Sequence, residues 1–286
     1  MMHSPGAMDS GFRRNDEPGQ DTGLPALRGG DEQGAGQVWT ALRQVADPEL
    51  DESIVDLGFV SAVNVAGGDT AEVIFRLPTF WCSANFAWIM AEDMRLALHA
   101  LPWLRRADIR LIDHFASDRI NRGIADGLSF HETFAGEAGG DLGELRATFR
   151  RKAFLGRMSA LIEALREHGW SDDAIMTARI ADLAEMPGEP PLRSLVDRYA
   201  KLRAFFGGSC KADDVAFRTA EGDPIPASGL PAYLRGIRMT RRGVEANGEM
   251  CRILLAERYG EPTSRADGGA SDPTGCTPPP ARSVPI

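Results

Sequence analysis

Residues 59–77 read FVSAVNVAGGDTAEVIFRL. Two runs rich in apolar and β-branched residues, Phe59 to Val65 and Ala71 to Leu77, flank the segment Ala66-Gly67-Gly68-Asp69. A glycine pair between two such runs signals a β-hairpin, because tight hairpin turns need positive φ, which glycine adopts without a Cβ clash.

Working outward, the apolar positions Val38, Ala41, Leu42 and Val45 are spaced three and four apart and predict a short amphipathic helix. It stops before Asp47-Pro48, since proline disfavours helical geometry in the residue ahead of it. Downstream, Phe86, Ile89, Met90, Met94, Ala97, Leu98 and Leu101 form one apolar stripe and predict a helix from about Ser83, a capping residue type, to Leu101. A third strand follows from Ala107 to Asp113, in which Ile109 and Leu111 alternate with Arg110 and Ile112. Helix, β-hairpin, helix and strand together make a small two-layer α/β domain over residues 37–115.

The rest has helical spacing. Leu142, Leu145, Phe149, Phe154, Met158, Leu161 and Leu165 predict a long helix ending near His168-Gly169. Ser171 opens a second helix with Ile175, Met176, Ile180 and Leu183 inside, and Pro190-Pro191 opens a third through Leu202. A last helix is expected from Arg241 to Tyr259. The fold class is therefore α+β, an α/β domain followed by an all-helical domain at 141–260, with a Gly-rich connector at 116–140. Residues 1–36 and 261–286 are dense in Gly, Pro, Asp and Ser and are expected to be disordered tails.

Net charge −9 over 286 residues, with a sequence pI near 5.2, argues against an electrostatic nucleic-acid binder, which needs a concentrated basic face. The local run Arg146, Arg150, Arg151 and Lys152 reads as a solvated helix face. No apolar run approaches membrane-spanning length, and the first residues lack the apolar middle of a signal peptide, so a cytoplasmic protein without membrane partners is expected. Cys82, Cys210, Cys251 and Cys276 are scattered with no CxxC pair, which suggests free thiols rather than a disulfide framework.

Among these thiols Cys82 stands out, because it falls where the second strand hands over to the following helix. Unsatisfied backbone N–H groups and the helix dipole favour a thiolate at such a junction. A thiolate there can bind a soft or borderline metal such as iron, or act as a nucleophile, while a small buried hydrophobe is the bland alternative. Cys210 and Cys251 read as core or loop residues. Asp47, Glu49 and Asp56 crowd a turn-rich segment and could face Cys82 as oxygen ligands, or could serve only turn formation, with Asp56 capping a turn ahead of Gly58. His114, directly after the third strand, and His131-Glu132 add further donors. No GxSxG, P-loop, HExxH or GxGxxG element occurs, so common hydrolase, nucleotide-binding and zinc-protease readings lack motif support.

The order Asp47-Pro48-Glu49-Leu50, then Ile54-Val55-Asp56-Leu57-Gly58-Phe59-Val60, then Thr79-Phe80-Trp81-Cys82 resembles the metal-sulfur cluster assembly domain of PaaD-type and SufT-type proteins. The shared pattern is a DPE motif, a V-D-L-G motif and a cysteine after a T-x-x turn. Ser83 departs from it, since the family usually places proline directly after the cysteine. The resemblance implies a non-enzymatic factor that transiently holds iron or an iron-sulfur cluster. Cys82 would be the contact, with the motif residues Asp47 and Glu49 beside it as candidate metal helpers, Pro48, Asp56, Gly58 and Thr79 as further motif residues, and His114 added from its place after the third strand. It also implies a client metalloenzyme, by analogy a multicomponent oxygenase including a di-iron one, and cluster-assembly scaffold proteins as partners. A homodimer would supply a second cysteine. Two competing readings are a cysteine-dependent enzyme with Cys82 as nucleophile and His114 as its base, and a protein-binding scaffold without metal chemistry.

Overall fold

The computed structural model describes residues 29–136, 142–186, 190–206, 211–225 and 230–260. The expected tails up to residue 28 and from residue 261, together with Cys210 and Cys276, lie outside the described residues.

The first helix, α1, spans Gly29–Leu42, starting well ahead of the Val38 stripe, with Asp31 and Glu32 in its first turn, where acidic side chains complement the helix dipole. The hairpin forms as the sequence predicts: β1 (Val60–Ala66) pairs antiparallel with β2 (Thr70–Arg76), and Gly67 and Gly68 turn the corner at φ 65° and 78°. A bulge between Val60 and Ala62 shifts the register at the start of β1. β3 (Arg106–Ile112) lies parallel to β2, which makes β2 the central strand. Parallel neighbours need a crossover, and α2 (Ala84–His99) supplies it.

On one face of the sheet Val65, Ala71, Val73, Phe75, Ile109 and Leu111 pack with Val38 and Leu42 of α1 and with Ala87, Met94 and Leu98 of α2. The opposite face carries a polar row, in which Glu72 accepts from Asn64 at 3.1 Å and from Arg110 at 3.0 Å. Cross-strand polar pairs of this kind help fix register on an exposed sheet face.

The expected connector is instead part of this domain. It folds into α3 (Ser117–Ala125) and α4 (Phe130–Thr133), and Ile120, Ile124, Phe130 and Phe134 join the same core as the sheet. Trp88 of α2 meets Phe130 and Phe134 edge-on, at ring centroid separations of 5.9 and 6.3 Å. A capping box closes α4: Ser129 Oγ accepts from Glu132 N–H, and the Glu132 carboxylate accepts from Ser129 N–H. Its glycines do not make this stretch a linker, because at Gly123 the α3 backbone packs directly against Trp88 and Thr133, with no room for a Cβ.

The second unit is helical: α5 (Leu142–Glu167), α6 (Asp172–Thr177), α7 (Ile180–Ala184), α8 (Pro190–Phe205) and α9 (Leu230–Tyr259). Ser171 caps α6, accepting from Ala174 N–H at 3.2 Å. The single helix expected over Ile175 to Leu183 is broken, because Ala178 and Arg179 are extended. Their main chain pairs with residues 214–216: Ala216 N–H donates to Ala178 O at 2.8 Å and Ile180 N–H donates to Asp214 O at 2.9 Å. The last helix begins at Leu230, not Arg241, since Leu230, Leu234 and Ile237 continue its buried stripe into the helical core. That core centres on Tyr199, stacked between Phe154 and Phe217, with its hydroxyl donating to Ala216 O at 3.0 Å.

The basic run on α5 is more than a solvated face. Arg146 bonds Glu92 and Asp93 of α2 at 2.7 and 2.9 Å, Arg150 lies over the Phe205 ring, and Arg151 pairs with Glu221. Among the described residues no helix is long and apolar enough to cross a membrane.

Candidate metal-thiol site

Three chain segments meet at the end of the sheet where β2 feeds α2. The first is the turn after α1. Asp47 is buried, and its Oδ1 accepts from the main-chain N–H of Glu49 and Leu50 at 2.9 and 2.8 Å, which fixes the Pro48 turn. Burial pushes this carboxyl up to about 6, against the pull of the two amides. Glu49 is half-buried beside it. Asp51 adopts φ 53°, and Leu50, Ile54 and Leu57 anchor the segment in the core. Asp56 does not cap the turn before Gly58. It is exposed, and Ser53 takes that place, its hydroxyl accepting from Val55 N–H at 3.2 Å. Gly58 has φ 75°, a conformation that explains glycine there.

The second segment is the turn Thr79 to Cys82, closed by Cys82 N–H to Thr79 O at 3.4 Å. Thr79 Oγ1 lies 3.2 Å from Cys82 Sγ, and Cys82 is a partly exposed residue packed against the edge of the α/β core. Ser83 occupies the N-cap of α2 without a side-chain capping bond. The departure from proline therefore adds no side-chain cap at the helix start.

His114 sits on the other side of this turn, buried, but it engages main chain at both ring nitrogens. Ala116 N–H donates to Nδ1 at 3.2 Å, which leaves the proton on Nε2 to donate to Cys82 O at 2.8 Å. Burial holds its pKa below the ordinary imidazole value, in keeping with a neutral ring. In this arrangement His114 offers neither a lone pair to a metal nor a base to the thiol. It clamps the cysteine turn to the end of β3, helped by Phe115 N–H to Phe80 O at 3.2 Å. Exposed aromatics border the thiol: Trp81, 75% exposed, stacks on Phe115 at 5.5 Å and meets Phe80 edge-on at 4.9 Å. His131 and Glu132 take no part, since Glu132 is committed to the α4 capping box.

The third segment, invisible to pattern reading, is the C-terminal half of α9. Leu255 enters the α/β core, and Cys251 and Tyr259 pack against it. Arg252 pairs with Glu52, Arg258 donates to Asp113 O at 2.8 Å and to Leu77 O at 3.4 Å, and Arg76 lies 4.1 Å over the Tyr259 ring. Cys251 thereby comes beside the first two segments. Burial, with the charges of Asp47, Cys82 and Glu49 nearby, pushes its thiol up to about 11. The one sequence signal for it is the spacing of Cys251, Leu255 and Tyr259, four residues apart on one helix face.

Residues 36–111 match the family model described as iron-sulfur cluster assembly protein. This stretch is an iron-sulfur cluster assembly domain. The assembly domain holds Asp47, Glu49, Thr79 and Cys82, whereas His114 and Cys251 lie beyond the matched stretch. A crystal structure of a domain of unknown function, DUF59, from Bacillus anthracis is similar over 35% of this chain and 96% of that one, at 22% identity and a TM-score of 0.28. No curated protein matches the chain. Among the described residues, no three His, Cys, Asp or Glu side chains stand close enough together to enclose a metal ion. The donor set around the assembly domain's thiol is thus open as the side chains lie.

Proposed function

We propose that this protein is a cytoplasmic maturation factor that takes up iron or an iron-sulfur cluster as cargo at Cys82 and hands it to a client metalloenzyme. The observation that carries the reading is the partly exposed residue Cys82 on the T-x-x-C turn inside the family match. Sulfur is the donor that iron and its clusters take, and the thiol loses its proton to the solvent on coordination. Asp47, through the carboxylate oxygen not bonded to the turn, and Glu49 are the oxygen donors within the same stretch. His114 serves by holding the turn. That role weakens the cysteine-enzyme reading, whose nucleophile would lack its base.

By analogy with the PaaD-type and SufT-type resemblance, the client is a multicomponent oxygenase, and the helical unit is the part that docks it, alone or alongside a cluster scaffold protein. Anaerobic reconstitution with iron and sulfide, compared between the native protein and Cys82→Ala, tests the cargo. Cluster absorbance and iron retained after gel filtration are expected only with the native thiol. Equal iron in both proteins would overturn the reading. For the client, co-expression with and without this protein is expected to change its iron content and activity, and equal values would remove the proposed partner.

A further inference from the structure

The buried side of α9 is spent inside one copy of the chain, through Leu234 and Ile237 in the helical core and Leu255 in the α/β core. Its outer side is apolar as well. Met239, Met250, Ile253 and Leu254 are 69%, 55%, 53% and 38% exposed, where a solvated helix face carries polar side chains. Met239, Gly243, Ala246, Met250 and Ile253, all exposed, recur at alternating intervals of four and three residues, which is the spacing of a helix–helix seam.

Two features of this seam have no cause within a single copy. A Cβ added at Gly236 or Gly243 would meet nothing within 4 Å, so no contact inside the chain calls for glycine there, although glycine weakens a helix interior. The exposed charges are also sorted along the helix. Arg235 and Arg242 lie in the first half, and Glu249 and Glu257 in the second. Arg235, Arg242 and Glu257 have no ion pair among the described residues, and Glu249 reaches Arg252 only at 3.5 Å.

Turned end for end, the same helix answers both features. About a two-fold axis beside Glu245, Met239 faces the partner's Met250, Ile253 enters the space over the partner's Gly236, and Gly243 meets the partner's Ala246. On one flank, Arg242 faces the partner's Glu249, and the symmetry repeats that pair. A parallel arrangement would instead set Arg242 against Arg242 and glycine against glycine. From this self-complementarity we infer that the chain forms a two-fold dimer through the outer face of α9, the occupant of the stripe being a second, antiparallel copy. The inference is independent of the cargo proposed for Cys82, but it bears on how the sites are arranged. Arg258, bonded to Leu77 O and Asp113 O, marks the end of α9 beside the cysteine turn. Its two copies lie about 40 Å apart along the paired helices. The dimer therefore keeps the two Cys82 turns separate and does not supply a second cysteine to a shared cluster.

Sedimentation velocity on the full chain, from about 1 to 100 μM, tests the pairing. A species of twice the 31.0 kDa chain mass is expected. Arg242→Glu turns both flanking pairs into like charges and should weaken the dimer about tenfold or more. Adding Glu249→Arg to it restores opposite charges across the two-fold axis and should bring the dimer back. Both positions are exposed, so helical content by circular dichroism should not change. A native chain that stays monomeric throughout would overturn the dimer and leave the stripe to a different protein or to residues 261–286. A dimer indifferent to Arg242→Glu, or one that the double substitution fails to restore, would overturn this pairing.

Discussion

Arg157 of α5 holds both carboxylate oxygens of Asp51, with Nε to Oδ2 at 2.7 Å and Nη2 to Oδ1 at 2.6 Å. Two parallel charge-assisted bonds fix the geometry as well as the charge. Both side chains are mostly shielded, at 16% and 15% exposure, and Arg198 adds a bond to Asp51 O at 2.8 Å. This lock ties the DPE turn to the helical unit. Arg157→Ala leaves Asp51 half-buried without its main partner and is expected to cost about 2–3 kcal/mol in urea denaturation. A loss below about 0.5 kcal/mol, the range of ordinary surface changes, would show that the lock is decorative.

Gly123→Ala tests whether the α3–α4 stretch belongs to the α/β core. A Cβ at this position would lie 2.2 Å from Thr133 Oγ1 and 2.8 Å from Trp88 Cη2. Trp88 has no room to retreat, since it is 1% exposed and packed edge-on against Phe130 and Phe134. Overpacking of this sort is expected to cost about 1–3 kcal/mol, with a lower melting temperature and changed tryptophan emission. An unchanged melt would return the segment to the status of a linker.

Asp47 gives a pH signature. Its carboxyl titrates near 3.8 when exposed and near 6 in the folded chain, so between those values the folded state binds the extra proton. The contribution to stability is therefore fully present below about pH 4 and is lost as pH rises through 6. Asp47→Asn keeps an oxygen for the Glu49 and Leu50 amides but removes the titration. Relative to the native protein it is expected to gain up to about 3 kcal/mol between pH 4 and pH 7. Parallel urea titrations at the two pH values check this, and a constant difference would contradict it.

His114→Ala removes the bonds to Cys82 O and from Ala116 N–H together. A loss of about 2–3 kcal/mol is expected from two buried main-chain groups left unsatisfied. The freed turn should also react faster with a thiol reagent at Cys82, measured in the Cys210→Ser, Cys276→Ser, Cys251→Ser background. A base or nucleophile-activating role predicts the opposite, slower labelling.

The parts of the fold encoded by neighbouring residues were legible. Gly67-Gly68 announced the hairpin, the stripe from Phe86 to Leu98 announced α2, and Ser171 announced the start of α6. Elements whose form depends on distant partners were not. Ala178 and Arg179 leave helical geometry to pair with residues 214–216, a contact that no local pattern records. Phe130 and Phe134 looked like sparse residues in a Gly-rich stretch because their partner, Trp88, lies on another helix. At the site, Cys82 and Asp47 could be found from linked short motifs. Cys251 could not, because only the docking of α9 brings it there, and His114 changed role once its two hydrogen-bond partners were visible.

Glu52 meets Arg252, 200 residues further along the chain. At a synthesis rate of roughly 5–20 residues per second, that partner reaches the ribosome exit on the order of ten seconds or more after the turn it closes. During that interval the groove that later receives Leu255 faces solvent. The apolar core of this domain is therefore completed late, and a chain interrupted before Leu255 is left with that groove open.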